Sequence, residues 1–213
     1  MIGIFGGTFD PVHYGHIKPA LSVKQALNLS QLRFVPNRLP PHRAEPWLNA
    51  EQRLLILQSA LKDYPDIIID ERELKREGPS YMVDTLVSLK QDFPAETLCL
   101  IIGMDAFFGI TSWFKWQSLL DLCHIVVTQR PGFDDNTIEE HFDSDDYLFI
   151  APRLTTDTRE LSKQECGKIL LQSVPQLDIS ATQIRSSLLK GEDISQWMPE
   201  QACVQLREFM NDN

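Results

Sequence analysis

A surplus of positive charge is missing from this chain: 20 Lys and Arg stand against 30 Asp and Glu, for a formal net charge of −10. A duplex-binding surface needs a basic face to replace counterions, so nucleic acid is not an expected partner. Any anionic ligand must be small and held by local positive groups, for which Lys18, His42, Arg43, Arg130 and Arg185 qualify beside the histidines discussed below. Long apolar runs are missing too. No stretch approaches the roughly 20 apolar residues of a membrane span, and the sequence opens on strand-like residues rather than on a basic, cleavable leader. Cysteine is scarce: Cys99, Cys123, Cys166 and Cys203 form no C-x-x-C pair, and two lie in apolar runs, as reduced core thiols do. These absences predict a soluble, cytoplasmic protein that does not engage membranes; they leave its oligomeric state open. Repeats and low-complexity segments are absent as well. The 213 residues, 43% of them hydrophobic, suffice for a sizeable core in one α/β domain, 1–213.

What the chain does contain is a dense opening string, Ile2-Gly-Ile-Phe-Gly-Gly-Thr-Phe-Asp-Pro-Val-His-Tyr-Gly-His16. Ile2, Ile4 and Phe5 read as a short buried strand stopped by Gly6 and Gly7, whose backbone can come close to a ligand. Ile17, Ala20, Leu21 and Leu27 then recur at helical spacing, so His16 opens a helix, with Pro19 expected in its first turn. A helix start offers unpaired N–H donors and partial positive charge. An anion there would meet Thr8, His13 and His16 together, with Gly15 small enough for the two imidazoles to converge. Zinc is the rival ligand for two such histidines, but no carboxylate or cysteine stands at a supporting spacing, and no metal ligands are assigned.

Further strands are expected at 32–36, 67–69, 98–102, 124–128, 147–151 and 168–171, with helices between them, which predicts a doubly wound, mainly parallel sheet covered on both faces. The loop after residue 36 holds Asn37, His42 and Arg43 at a strand's C-terminal end, where ligands bind in such sheets, although its prolines also suit a plain rigid loop. Asn49 and Gln52 form a capping box for a helix whose inner side is read as Leu54, Leu55, Leu57, Ala60 and Leu61. Ser80 is the expected cap of the next helix. Gly103 and Asp105 follow an all-apolar strand; Asp105 fits either a ribose hydroxyl or a helix cap. Between residues 105 and 122, Phe107, Phe108, Trp113, Phe114 and Trp116 divide between core and a wall for a flat heterocycle. The acidic stretch 134–146 is expected to be an exposed connection. Ser180 and Gln183 make a further capping box, and Arg185 can reach back from that helix to an anion at its start. A last helix starts at Pro199.

Two strings in this chain resemble known motifs. Gly6-Gly-Thr-Phe-Asp-Pro-Val-His-Tyr-Gly-His16 resembles the H-x-G-H signature of the nucleotidylyltransferase superfamily, and Ile179-Ser-Ala-Thr-Gln-Ile-Arg185 its second phosphate motif, carried by the helical part at about 180–213. With P-N-R-L-P-P-H-R (36–43), E-L-K-R-E-G-P-S-Y (73–81), I-I-G-M-D-A (101–106), W-F-K-W (113–116) and R-P-G (130–132), nearly the whole chain is similar to bacterial nicotinate-mononucleotide adenylyltransferases. Met82 and Gln183 depart from the usual threonine and acidic residue at those places. The resemblance implies a Rossmann-like fold and transfer of AMP from ATP to nicotinate mononucleotide, with Mg²⁺ carried on the ATP phosphates and no covalent intermediate. It assigns Gly6, Gly7, Thr8, Phe9, His16, Gly103, Asp105, Arg130, Ser180, Thr182 and Arg185 to ATP, with His13, His16, Thr8 and Arg185 stabilising the reacting phosphates. It assigns Asn37, His42, Tyr81, Met82, Trp113 and Phe114 to the mononucleotide. Other branches of the superfamily, the pantetheine-phosphate adenylyltransferases and the cytidylyltransferases, and a nucleotide-binding sensor without chemistry, are the alternatives.

Overall fold

The computed structural model describes residues 1–39, 45–133, 135–175 and 177–211. Seven strands, β1 (Ile2–Gly7), β2 (Gln31–Pro36), β3 (Ile67–Ile69), β4 (Leu98–Gly103), β5 (His124–Gln129), β6 (Leu154–Thr155) and β7 (Ile169–Ser173), form one sheet in the order β3-β2-β1-β4-β5-β7-β6. Every pairing is parallel. The α-helices among the described residues are α1 (Tyr14–Ala26), α2 (Ala50–Leu61), α3 (Met82–Asp92), α4 (Met104–Phe108), α5 (Ser144–Ile150), α6 (Ala181–Leu189) and α7 (Glu200–Asn211). None is long and apolar enough to cross a membrane.

Side chains of a strand alternate between faces, and β4 shows the consequence. Cys99 and Ile101 join one core with Ile17, Val23, Ile56, Leu57, Ile184 and Leu206, whereas Leu98, Leu100 and Ile102 join another with Val83, Leu86, Phe107 and Leu119. Thus α1, α2, α6 and α7 cover one face, and α3 and α4 the other. The chain runs outward from β1 through β2 to β3, then restarts with β4 on the opposite side of β1. The connections leaving β1 and β4 therefore diverge, and a crevice opens past Gly7 and Gly103, the place where parallel sheets bind ligands.

Several elements differ from the sequence expectation. Residues 147–150 are helical, not a strand: the Asp143 side chain accepts from the Asp146 N–H at 2.9 Å, and Asp145 and Asp146 lie in the first turn of α5, where negative charge suits the helix start. A short apolar run fits strand and helix equally, and the cap decides it here. The next strand along the chain after β5 is instead the two-residue β6, at the sheet's edge beside β7. The acidic stretch is not simply solvated, because the 3-10 helix Asp135–His141 buries Ile138. Tyr81 rather than Ser80 caps α3, since the Ser80 hydroxyl accepts from the Arg38 N–H at 3.0 Å. Helix α1 begins at Tyr14 behind the cap His13, which puts Pro19 inside the helix and not in its first turn. On α2 the buried side is Arg53, Ile56, Leu57, Ala60 and Leu61, and Leu55 is exposed.

Candidate active site

The backbone between β1 and α1 is tightly specified. Phe9 adopts a left-handed φ of 49° and is buried, its ring stacked on Phe34 at 5.4 Å and edge-on to His16 at 5.4 Å. The Asp10–Pro11 peptide is cis. His13 caps α1 with an extended backbone and stands at 5% exposure, while His16 lies one turn later at N3. Their rings are 3.8 Å apart. Glycine between them is a steric requirement: a Cβ on Gly15 would lie 2.9 Å from His13 Nδ1.

The two imidazoles differ in their hydrogen bonding. Burial pushes the His13 pKa down to about 4, so the ring is neutral near pH 7, and its Nδ1 is buried without a hydrogen-bond partner among the described residues. His16 Nδ1 accepts from the His13 backbone N–H at 3.3 Å, which leaves the proton of the neutral ring on Nε2.

Helix α6 brings the second phosphate motif alongside. The Ser180 hydroxyl caps it by accepting from the Gln183 N–H at 3.1 Å. Arg185 donates to the Asp10 carbonyl at 2.6 Å and to Thr182 Oγ1 at 3.2 Å, so residues separated by most of the chain meet at the turn that precedes His13. The Asp10 carboxylate accepts from the Trp47 and Leu48 N–H groups at 2.8 and 3.1 Å and lies 3.6 Å from the Arg185 guanidinium.

These groups line one end of a cavity of 1030 Å³ together with Gly6, Gly7, Thr8, Phe9 and Thr182. Gly103, which caps α4, and Asp105, in the first turn of α4 and not its cap, line it from β4. Asn37, also in the lining, donates to Thr8 Oγ1 at 3.1 Å, and further lining residues form an aromatic wall. That wall is Tyr81, Met82, Trp113 and Phe114, with Tyr81 and Phe114 rings 4.6 Å apart. The start of α3 opens there: Tyr81 makes no side-chain cap bond, so the first-turn N–H groups beginning at Met82 have no side-chain acceptor from the cap.

Two expected cations, Arg130 and Lys18, stand apart from the lining. Arg130 is 69% exposed, pairs with Asp178 at 3.9 Å and is not among the lining residues. His42, with Arg43, lies outside the described residues. Lys18 sits over the Tyr14 ring at 4.8 Å, also off the lining. Conversely, the sequence reading passed over Asp10, Trp47, Glu73 and Ser112, which line the cavity, and Arg53, which lies beneath it. Asp10 had a signal, an acid within the turn that leads to a phosphate motif; Trp47 and Ser112 had none. Among the described residues, no group of three His, Cys, Asp or Glu could hold a metal ion.

The chain is similar to known proteins over nearly its whole length. A family model described as cytidylyltransferase-like matches residues 4–187. A relative from Halorhodospira halophila, named probable nicotinate-nucleotide adenylyltransferase, is 45% identical over 199 residues, 93% of this chain and 89% of its own. Another of the same name, from Methylococcus capsulatus, is 45% identical over 201 residues, 94% of this chain and 93% of its own. In fold, the chain is similar to Plasmodium falciparum nicotinic acid mononucleotide adenylyltransferase complexed with NaAD, at a TM-score of 0.71 and 18% identity, over 98% of this chain and 95% of that one.

Proposed function

Since the chain belongs to the cytidylyltransferase-like family, and within it to the nicotinate-nucleotide adenylyltransferases, we propose that its cavity seats ATP at the histidine end and nicotinate mononucleotide against the aromatic wall. The enzyme transfers AMP from ATP to nicotinate mononucleotide, forming nicotinate adenine dinucleotide and pyrophosphate. The observation that supports the seating best is the meeting of two helix starts, α1 and α6, through the Arg185 bond to the Asp10 carbonyl at 2.6 Å.

The mononucleotide's phosphate is already a nucleophile at neutral pH. One of its oxygens attacks the α-phosphorus of ATP, the bond from that phosphorus to the bridging oxygen breaks, and pyrophosphate leaves with the electron pair. The protein's task is to align two polyanions and stabilise the charge that moves between them. His16 offers its Nε2–H, His13 its imidazole, Thr8 a hydroxyl and Arg185 a planar fork able to hold two phosphate oxygens. A bound triphosphate favours the imidazolium form of His13 and so opposes the effect of burial on that ring. Gly6, Gly7 and Phe9 shape the floor, Ser180 and Thr182 the α6 side, and Gly103 and Asp105 the ribose side. Mg²⁺ enters with the ATP phosphates. On the far wall, Trp113 stacks on the pyridine ring, Asn37 faces the mononucleotide, and backbone N–H groups around Tyr81, Met82 and Phe114 receive its carboxylate. The free thiols suit a reducing compartment, and we place the enzyme in the cytoplasm.

Incubation with ATP, Mg²⁺ and nicotinate mononucleotide should release one pyrophosphate for each dinucleotide formed. Turnover only with a pantetheine phosphate or with CTP would move the chain to another branch of the family, and nucleotide binding without turnover would make it a sensor.

A further inference from the structure

Helix α2 turns an arginine into the protein where its periodicity calls for an apolar residue. Arg53 is 1% exposed and shares the inner side with Ile56, Leu57, Ala60 and Leu61. Burial pulls its pKa down and the nearby Asp10 carboxylate pushes it up. A buried charge of this kind is a poor way to stabilise a fold, since apolar residues of similar volume commonly serve as well.

The guanidinium's acceptors explain why it is there. Nη1 donates to the Thr8 carbonyl at 2.6 Å, Nη2 to the Asn37 and Arg38 carbonyls at 2.8 and 3.1 Å, and Nε to the Leu48 carbonyl at 3.3 Å. All four carbonyls lie beyond the ends of β1 and β2 or just before α2, where strand pairing no longer supplies donors. Three separate stretches of chain are thereby tied to one rigid, planar group. Two of them carry Thr8 and Asn37, whose side chains bond each other at 3.1 Å. The third is gripped from both directions, because the Leu48 N–H donates to Asp10 and the Leu48 carbonyl accepts from Arg53. A continuous set of hydrogen bonds thus runs from Arg185 through Asp10 and Leu48 to Arg53, and on to Thr8 and Asn37.

We propose that Arg53 is a positioning residue for the transfer: it sets Thr8, on the ATP side, and Asn37, on the mononucleotide side, at a fixed separation, so that the two phosphates meet in line. This rests on the seating of substrates proposed above. Arg53 is too deeply buried to touch either substrate, so its removal acts on alignment, and a misplacement on the order of 1 Å costs roughly 10²-fold in rate.

Arg53→Lys keeps the charge and loses the fork; Arg53→Met keeps the volume and loses both. The test measures, for each, the thermal midpoint, the Kd of ATP and of nicotinate mononucleotide separately by calorimetry, and kcat. Arg53→Lys is expected to fold, to bind each substrate alone within about threefold of wild type and to lose kcat by roughly 30-fold, with a larger kcat loss in Arg53→Met. A residue that only held the fold would lower the thermal midpoint and leave the kcat of the folded protein unchanged. A folded lysine variant with kcat within twofold of wild type, a loss of kcat matched by an equal loss of ATP binding, or failure of both variants to fold would each overturn the proposal. Wild type, assayed alongside with each acceptor, separates this from failure of the functional reading: if another acceptor is the substrate, the same kcat comparison is made with that acceptor.

Discussion

His13 is 5% exposed, its ring lies 3.8 Å from His16, and the turn before it is bonded to Arg185, whereas across the cavity Phe114 is 45% exposed and rests on Tyr81 at 4.6 Å. Most of the first arrangement is fixed by backbone: a left-handed Phe9, a helix cap, a glycine that admits no Cβ, and a carbonyl that receives Arg185. Much of the second is apolar contact at the rim, with Lys115 lying over the Phe114 ring at 5.2 Å. Rigid donors are worth most where charge develops in the transition state, and a ring face is worth the same in the ground state and the transition state. The phosphate end should therefore govern kcat and the aromatic wall KM.

The largest expected effect comes from breaking the rigid end. His16→Ala should lower kcat by roughly 10²-fold or more with KM for the mononucleotide within about threefold, since one donor used in the transition state is worth about 3 kcal/mol. Steady-state rates check this; a variant within threefold of wild-type kcat would remove His16 from the chemistry.

Next is a polar feature of the aromatic wall, the start of α3, whose cap Tyr81 makes no side-chain bond to the first turn. Paired N–H donors suit a carboxylate, whereas the amide analogue turns N–H₂ toward them and leaves polar groups buried and unmatched. The ratio of kcat/KM for nicotinate over nicotinamide mononucleotide should be at least roughly 10². Equal efficiencies would mean that the wall does not read this group.

Trp113→Ala sharpens the contrast with His16→Ala. It should raise KM for the mononucleotide about tenfold and leave kcat within about threefold, because one aromatic contact contributes about 0.5–1.5 kcal/mol beyond area burial. A fall in kcat with KM unchanged would give the wall a catalytic role.

The remaining effect is on stability. His13 titrates near its ordinary value when unfolded and at about 4 when folded, so the unfolded chain binds more protons between those values. Stability in the absence of ligand should be full above pH 6.5 and fall as pH drops toward 4, by at most about 1.4 kcal/mol per pH unit from this group. His124, whose pKa burial also lowers, adds in the same direction. Thermal midpoints of wild type and His13→Gln should converge as pH falls, His124 contributing equally to both; parallel curves would contradict the neutral state of His13.

Much of this was readable in the sequence, for physical reasons. Strand β4, the start of β1 and the middle of β5 (Ile125 to Val127) are apolar because both faces of the sheet are covered, and H-x-G-H and S-x-T-x-x-R are contiguous strings whose members need no tertiary structure to be seen together. What failed was local competition. Residues 147–150 are apolar enough for a strand, yet the acidic cap at 143 made a helix of them. Arg130 follows β5 in a promising place but points to Asp178 in solvent. Arg53 is hidden when the inner side of α2 is assigned to Leu54, Leu55, Leu57, Ala60 and Leu61; an arginine three, four and seven residues before Ile56, Leu57 and Ala60 is the available sign. Its partners, being main-chain carbonyls, leave no mark in a sequence.

The stereochemical course at the α-phosphorus bears most directly on the division of labour between the two ends of the cavity. With ATP carrying a chiral α-thiophosphate and nicotinate mononucleotide as acceptor, a single in-line displacement, in which His13, His16 and Arg185 only hydrogen-bond to the phosphates, gives inversion. Inversion is the expected result; net retention would mean that a protein side chain carries the adenylyl group between two displacements, and would contradict the assignment of the rigid end to alignment and charge stabilisation.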